Sequence, residues 1–289
     1  MTNLKHKNTF FSSKKTINCR GKLLSLENPL VMGILNITSD SFYDGNKYND
    51  IKKAIKQTAK MLEEGADIID MGAVSTRPGA KTITQEEEEK RLLPILRNLI
   101  TEFPDSIFSV DTFRSYIAQM SVDCGVKIIN DISAGAFDNN MFNVISKLQV
   151  PYIIMHIQGT PVNMQYKPAY KDVVKEIIAY FSEKVAILKK IGVNDIIIDP
   201  GFGFGKTVKH NYELLNNLEY FSFFELPVMV GISRKSMINK VLDTTPESAL
   251  NGTTVLNTIA LLKGANILRV HDVKEASEVV KICKMLKNQ

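Results

Sequence analysis

The 289-residue chain has no tryptophan, only three cysteines, and no apolar run approaching the ~18 residues that a membrane-spanning helix needs. The cysteines, Cys19, Cys124 and Cys283, are odd in number and far apart, and no CxxC pair occurs. That spacing supports neither a disulfide framework nor a structural zinc site. The N-terminal stretch MTNLKHKNTFFSSKKTINCR is basic but lacks the apolar core of a secretory signal. A cytoplasmic location with no membrane partner is therefore expected. Sixteen glycines without a three-residue period exclude collagen. Charge is not concentrated either: 36 Lys and Arg are scattered among 31 Asp and Glu, for a net charge of +5. A nucleic-acid face needs a basic stripe with aromatic residues for stacking, so no nucleic-acid partner is expected. A mild positive surplus still favours the approach of a small anion.

What is present is an ordinary globular composition, 44% hydrophobic and 23% charged. Through it runs one recurring pattern: a short, β-branched apolar run closed by a polar residue, then an amphipathic stretch. The runs are VMGILN (31–36), DIIDMG (67–72), SIFSVD (106–111), KIIND (127–131), YIIMH (152–156), DIIIDPG (195–201), PVMVGIS (227–233) and NILRVHD (266–272). Most are apolar on both faces, as buried parallel strands are. Between them, 51–65 and 173–192 have helical spacing and end at Gly65 and Gly192, natural C-caps. Helices are also read over 246–263 and 273–287. Glu86 to Glu89 reads as an exposed first helical turn. Eight strand–helix units predict a single α/β domain over 1–289, a (β/α)₈ barrel of the TIM type. Residues 8–28 read as a short hairpin plugging the barrel bottom. The rival open, doubly wound sheet usually has a Gly-rich turn after its first strand, where this chain has Asn-Ile-Thr-Ser-Asp-Ser-Phe.

In such a barrel, ligands bind where the strands end. The closing residues Asn36, Asp70, Asp111, Asn130, His156, Asp199, Ser233, Arg269 and His271 form one ring. Asp70 reads as a structural cap. Asp111, Asn130 and Asp199 together suit a flat heterocycle rich in N–H and C=O groups, since a carboxylate accepts two parallel bonds from an N–C–NH₂ edge. The rim cations Arg77, Lys235, Arg269 and His271 suit phosphate. PGFGFGKT (200–207) is not a Walker loop, because Pro200 stands where glycine is required. Its glycines instead let the chain pass close to a flat ligand, with Phe202 or Phe204 as a wall. No GxSxG elbow or HExxH occurs. Asn36 is a neutral oxygen ligand of the kind that suits magnesium completed by waters and substrate phosphates.

The stretches GILNITSDSFYDG (33–45), STRPGA (75–80), SVDT (109–112), INDI (129–132), MHIQGTP (155–161), DPGFGFGK (199–206), GISRKS (231–236) and RVHDV (269–273) together resemble the dihydropteroate synthase family. The resemblance covers about 33–273 and implies a (β/α)₈ barrel. It also implies a transferase of folate biosynthesis, a sulfonamide target, that condenses 6-hydroxymethyl-7,8-dihydropterin diphosphate with p-aminobenzoate and releases diphosphate. Carried over by residue, it implies that Asn36 holds Mg²⁺ with the leaving diphosphate. Asp111, Asn130, Met155, Asp199 and Lys235 bind the pterin, and Arg269 stacks on it. Thr76, Arg269 and His271 contact the diphosphate. Phe42, Thr76, Arg77, Pro78, Phe204, Lys235 and Ser236 enclose p-aminobenzoate. Asp199, Lys235 and Arg269 carry the catalytic roles.

Ser39 and Val74 depart from the family's usual Pro and Glu, which bears on loop conformation and not on activity. Residues 39–48 and 74–84 are expected to close over p-aminobenzoate. The family also implies a homodimer through the last helices, whose Leu256, Leu261, Val279 and Ile282 serve equally as barrel-packing residues. A corrinoid methyltransferase barrel would share the pterin groups but not the STRPG and SRKS loops. A non-catalytic pterin-binding protein would release no diphosphate.

Overall fold

The computed structural model describes residues 14–37, 47–74 and 83–287. A two-stranded hairpin, β1 (Thr16–Cys19) and β2 (Lys22–Ser25), precedes eight parallel strands. These are β3 (Leu30–Asn36), β4 (Ile68–Gly72), β5 (Ile107–Asp111), β6 (Ile128–Asp131), β7 (Tyr152–Met155), β8 (Ile196–Asp199), β9 (Met229–Val230) and β10 (Ile267–Val270). The helices are α1 (Lys47–Glu63), α2 (Gln85–Glu102), α3 (Ser115–Asp123), α4 (Met141–Leu148), α5 (Val173–Lys190), α6 (Val208–Asn216), α7 (Ser236–Leu242), α8 (Leu250–Leu262) and α9 (Val273–Lys287).

The strands are hydrogen-bonded in the order β8-β7-β6-β5-β4-β3-β10-β9. A parallel bridge between Ile198 and Val228 closes the ring, so the sheet is a barrel. Each expected run holds a strand. β8 stops at Asp199 rather than at 201, because Pro200 has no N–H to donate to the ladder. β9 shrinks to two residues after Pro227, whose carbonyl still accepts from Ile198 N–H at 2.9 Å. α1 ends as its sequence predicts. Gly65 has φ +98°, and Ala66 N–H reaches back to the Met61 carbonyl at 2.9 Å, a bond that satisfies an end-of-helix carbonyl.

Strand side chains alternate, and here the alternation separates two cores. One parity of the strands, with Val31, Ile69, Phe108, Ile129, Ile154, Ile198 and Leu268, packs outward against the helices. The other parity points into the barrel. At its lower end lie Met32, Ile68, Ile107, Ile128, Ile153, Ile197, Met229 and Ile267. Ile17 and Cys19 of the hairpin, with Leu26 and Leu30, cover this layer from below. The plug expected over 8–28 is present in its described part; residues 8–13 lie outside the described residues.

Glu88 corrects the reading of the acidic run. Thr84 caps α2, accepting from Glu87 N–H, but Glu88 is fully buried and pairs with Arg114. A helix face turned to the barrel buries one acid of the four and requires a cation beside it.

Candidate active site

One step of alternation above the apolar layer, the same inward parity carries polar groups. Asp70 follows Ile68, Asn130 follows Ile128, Met155 follows Ile153, Asp199 follows Ile197 and Arg269 follows Ile267; Asp111 lies two steps above Ile107. The ladder register sets Asp111 opposite Asn130 and Met155 opposite Asp199. Asn36 and His271 keep the same parity at the rim, Asn36 paired with Gly72. Asn36, Asp70, Asp111, Asn130, Asp199, Arg269 and His271 of the expected ring thus share one inward face, assembled by the period of two, whereas His156, one residue past the inward Met155, takes the opposite parity and leaves the ring.

Its groups are joined. Arg269 donates from Nε to Asp70 Oδ2 at 2.7 Å and from a terminal nitrogen to Asp111 Oδ2 at 2.8 Å. Asn130 Nδ2 donates to the same Asp70 oxygen at 3.0 Å. Asp70 is thus not a cap: it is fully buried inside the barrel and binds two of the expected ligand residues. Its inward parity and fixed neighbours come from the sheet register, which spacing alone does not reveal. Burial pushes the Asp111 carboxyl up, against the pull of Arg269. For Arg269 burial acts downward, and Asp70 and Asp111 outweigh it, so the guanidinium stays charged.

On the opposite side, Asp199 accepts from Gly201 N–H at 2.7 Å. Burial raises its pKa and the Lys235 charge lowers it. Lys235 itself is drawn down to about 8 by burial, with Asp199 opposing. Its ammonium lies 4.6 Å from the Phe204 ring centre and donates to the Phe202 carbonyl at 2.5 Å. Ser236 follows as the first residue of α7 and is exposed. His271, at the exposed rim, has Nδ1 3.1 Å from Ser233 Oγ. Arg234 does not join the mouth cations; its Nε and one terminal nitrogen reach Asp272, at 2.9 and 2.8 Å, and its other terminal nitrogen donates to the Pro246 and Glu247 carbonyls.

Lys206 is a buried cation beside the site that the sequence reading passed over, although the DPGFGFGK stretch contains it. It is 3% exposed and turns back under the loop, donating to the carbonyls of Gly201 (2.9 Å) and Phe204 (3.1 Å) and to His156 Nδ1 (3.0 Å). Burial, then the Lys206 charge, lowers the His156 pKa to about 3, so the ring is neutral and its Nδ1 accepts. Gly201 has φ +73°, and a Cβ there would collide with the His156 carbonyl. Only glycine lets these two segments touch.

Phe42, Thr76, Arg77 and Pro78, and the departure at Ser39, lie outside the described residues. The described residues contain no group of three or more His, Cys, Asp or Glu side chains able to hold a metal.

A family model described as "Pterin binding enzyme" matches residues 32–271. The chain is 42% identical over 265 residues to the dihydropteroate synthase of Escherichia coli K12, covering 91% of this chain and 93% of that one. Among solved structures, the Yersinia pestis dihydropteroate synthase with a sulfonamide drug superposes with a TM-score of 0.89 at 39% identity, over 95% of this chain and 100% of that one. The Xanthomonas albilineans enzyme in complex with 7,8-dihydropteroate superposes with a TM-score of 0.84 at 31% identity, over 94% and 98%. The chain belongs to the pterin-binding enzymes and, within them, to the dihydropteroate synthases.

Proposed function

We propose that the polar upper layer of the barrel is the site at which this chain, a transferase of folate biosynthesis, joins 6-hydroxymethyl-7,8-dihydropterin diphosphate to p-aminobenzoate. The observation that carries the assignment is the wall of hydrogen-bonding groups formed by Asp111, Asn130 and Asp199, with Lys235 and Arg269 beside it. Three acceptor-bearing side chains match the N–H and amidine-like edge of a pterin. Met155, 2% exposed, supplies an apolar contact, and Arg269 a flat cation for the ring face. The solved relatives in complex with 7,8-dihydropteroate and with 4-aminobenzoic acid support the same reading.

The reaction requires no nucleophilic side chain. The bond from the pterin methylene to the diphosphate oxygen breaks, and the electron pair leaves with diphosphate. Arg269 and His271 spread the leaving charge. The ring and the Asp199 carboxylate stabilise the cation left behind. The neutral arylamine attacks, a C–N bond forms, and the amine loses one proton. Positioning and electrostatics carry the rate. Asn36 offers one neutral oxygen at the rim, and no carboxylate cluster accompanies it among the described residues. That donor set fits Mg²⁺ held mainly by waters and the diphosphate. When bound, the ion supplies charge neutralisation to the leaving group. Phe204, Lys235 and Ser236 form the described part of the p-aminobenzoate wall; the family resemblance assigns Phe42, Thr76, Arg77 and Pro78, which lie outside the described residues, to the same substrate.

The whole chain, 1–289, is read as one barrel domain acting in the cytoplasm. No helix among the described residues is long and apolar enough to cross a membrane. A homodimer through the last helices, α8 and α9, is supported by their exposed apolar side chains Val255, Leu262, Ile282 and Met285. Leu256, Leu261 and Val279 are buried in the barrel's outer core instead. Light scattering that finds only a 32.4 kDa species would end the dimer. The function is tested by diphosphate release on adding p-aminobenzoate to protein and pterin diphosphate. Binding without release would leave a pterin-binding protein only.

A further inference from the structure

Asp70 is an expensive residue for the place it occupies. It is 0% exposed, one step above the apolar floor, where an isoleucine would fit the β4 pattern. A buried carboxylate is costly unless neighbouring donors compensate it. Its Oδ2 takes both available donors, Arg269 Nε at 2.7 Å and Asn130 Nδ2 at 3.0 Å, while Oδ1 is buried with no partner among the described residues.

The consequence lies in the Asn130 amide. An asparagine side chain has a donating end and an accepting end, and an ionised carboxylate only accepts. Beside Asp70 the amide can be held in one sense alone: NH₂ toward Asp70 and carbonyl toward the mouth. The neighbouring ligand groups, Asp111 and Asp199, are acceptors as well. The wall therefore presents oxygen at all three positions, which is the complement of a heterocycle edge made of N–H and NH₂ groups. A reversed amide would set a donor against those donors.

We infer that Asp70 is a positioning residue that fixes the hydrogen-bonding sense of Asn130 and aims Arg269 across the mouth, so that the pocket selects a donor-rich ligand edge. This deepens the reading of the site as a pterin pocket and rests on it.

The test exchanges the pair in the full chain: D70N, N130D, and the double variant D70N/N130D. Melting temperatures are recorded first, and pterin diphosphate affinity is then measured by calorimetry. In D70N the amide is no longer held in one sense, and affinity should fall about 10- to 100-fold, the usual effect of losing a charge-assisted bond. In the double variant the exchanged amide donates to the exchanged carboxylate, and an acceptor again faces the pocket. It should recover most of the lost affinity, whereas a merely structural role gives no recovery. Wild-type affinity in folded D70N overturns the inference. So does a double variant no better than D70N or, should D70N not fold, no better than N130D. A second readout needs no ligand. The Asn130 side-chain NH₂ resonance, assigned by its loss in N130D, should be protected from solvent exchange in the wild type. It should be exposed in D70N or, if D70N does not fold, in D70A. An unprotected wild-type resonance overturns the positioning role, while protection in a protein that binds no pterin diphosphate overturns the functional reading alone.

Discussion

The two halves of the barrel interior come from the same strands and the same side-chain parity, yet their chemistry is opposite. Below, Met32, Ile68, Ile107, Ile128, Ile153, Ile197, Met229 and Ile267 form a closed apolar floor covered by the hairpin. Above, the buried Asp70, Asp111, Asn130 and Asp199 and the half-buried Arg269 occupy the continuation of the same rows, all ionisable except the Asn130 amide. The floor gains stability from every methylene removed from water. The mouth holds carboxylates that burial pushes toward their neutral form, restrained by Arg269 and Lys235. One repeating unit thus supplies stability at one end and stores unfavourable electrostatics at the other, where a ligand can relieve it.

Changing the floor should break the fold first. Ile197→Asp places an unpaired carboxylate in the apolar layer and should abolish folding, read as loss of the far-ultraviolet dichroism of the barrel. Ile153→Ala is the graded version and should cost ~2–5 kcal/mol in urea unfolding. Its folded fraction should still bind pterin diphosphate with wild-type affinity, because Ile153 lies in the floor and not in the wall. Weakened binding in folded Ile153→Ala would show that the two halves are not separable.

The mouth should respond the other way. Asp199→Asn should keep the fold, since it removes a buried charge without changing volume, and should weaken pterin binding by ~1.5–3 kcal/mol. Calorimetry that finds unchanged affinity in a folded Asp199→Asn would defeat the assignment.

How far these two halves were legible in the sequence follows from the same geometry. Polar residues at the ends of apolar runs, Asp111, Asn130, Asp199 and Arg269, are local signals, and a period of two sends them to one face. The strand count and the helix end at Gly65 are local as well. Asp70 was misread because its partners Asn130 and Arg269 lie 60 and 199 residues away, and the register that joins them appears only in the closed sheet. Lys206 escaped because its side chain folds back under the loop that it follows. The burial of Glu88 in the acidic run depends on Arg114 of another unit. Sequence spacing reports which face a residue takes, and long-range packing decides what it meets there.

The rim is the next place to press the comparison. Asn36→Ala should raise the Mg²⁺ concentration needed for diphosphate release while hardly changing the affinity for a pterin that lacks diphosphate. Full activity of the wild type in excess chelator would remove Mg²⁺ from the reading.

A pH profile probes the stored charge directly. Burial draws Lys235 down to about 8. The ammonium is therefore present below about pH 8 and lost above it, so kcat/KM for pterin diphosphate should fall as pH rises through that value. Lys235→Arg keeps its charge throughout, because a guanidinium does not titrate below about pH 12, and its profile should lack the descending limb. A wild-type profile that stays flat well above pH 8 would count against the ammonium.

The smallest effect should come from the loop between the wall and the outside. Every carbonyl from Gly201 to Gly205 is held. Lys206 takes those of Gly201 (2.9 Å) and Phe204 (3.1 Å), Lys235 that of Phe202 (2.5 Å), Gln165 that of Gly203 (2.7 Å) and the Tyr170 hydroxyl that of Gly205 (2.8 Å). Held in this way, Phe204 stands as a fixed wall 4.6 Å from the Lys235 ammonium. Gln165 is exposed, so its bond competes with water and is the weakest of the set. Gln165→Ala should therefore loosen the loop at one point, by about 0.5–1.5 kcal/mol. The KM for p-aminobenzoate should rise roughly 2- to 10-fold. Pterin diphosphate affinity should stay at the wild-type value, since Asp111, Asn130 and Asp199 sit on strands, whereas the Gln165 side chain bonds the loop carbonyl of Gly203. The melting temperature should barely move, because the floor is untouched. Steady-state kinetics with each substrate varied in turn decides the matter. If the two substrates weaken together, the loop and the strand wall respond as one body, and the division of the mouth into a pterin side and a p-aminobenzoate side is wrong.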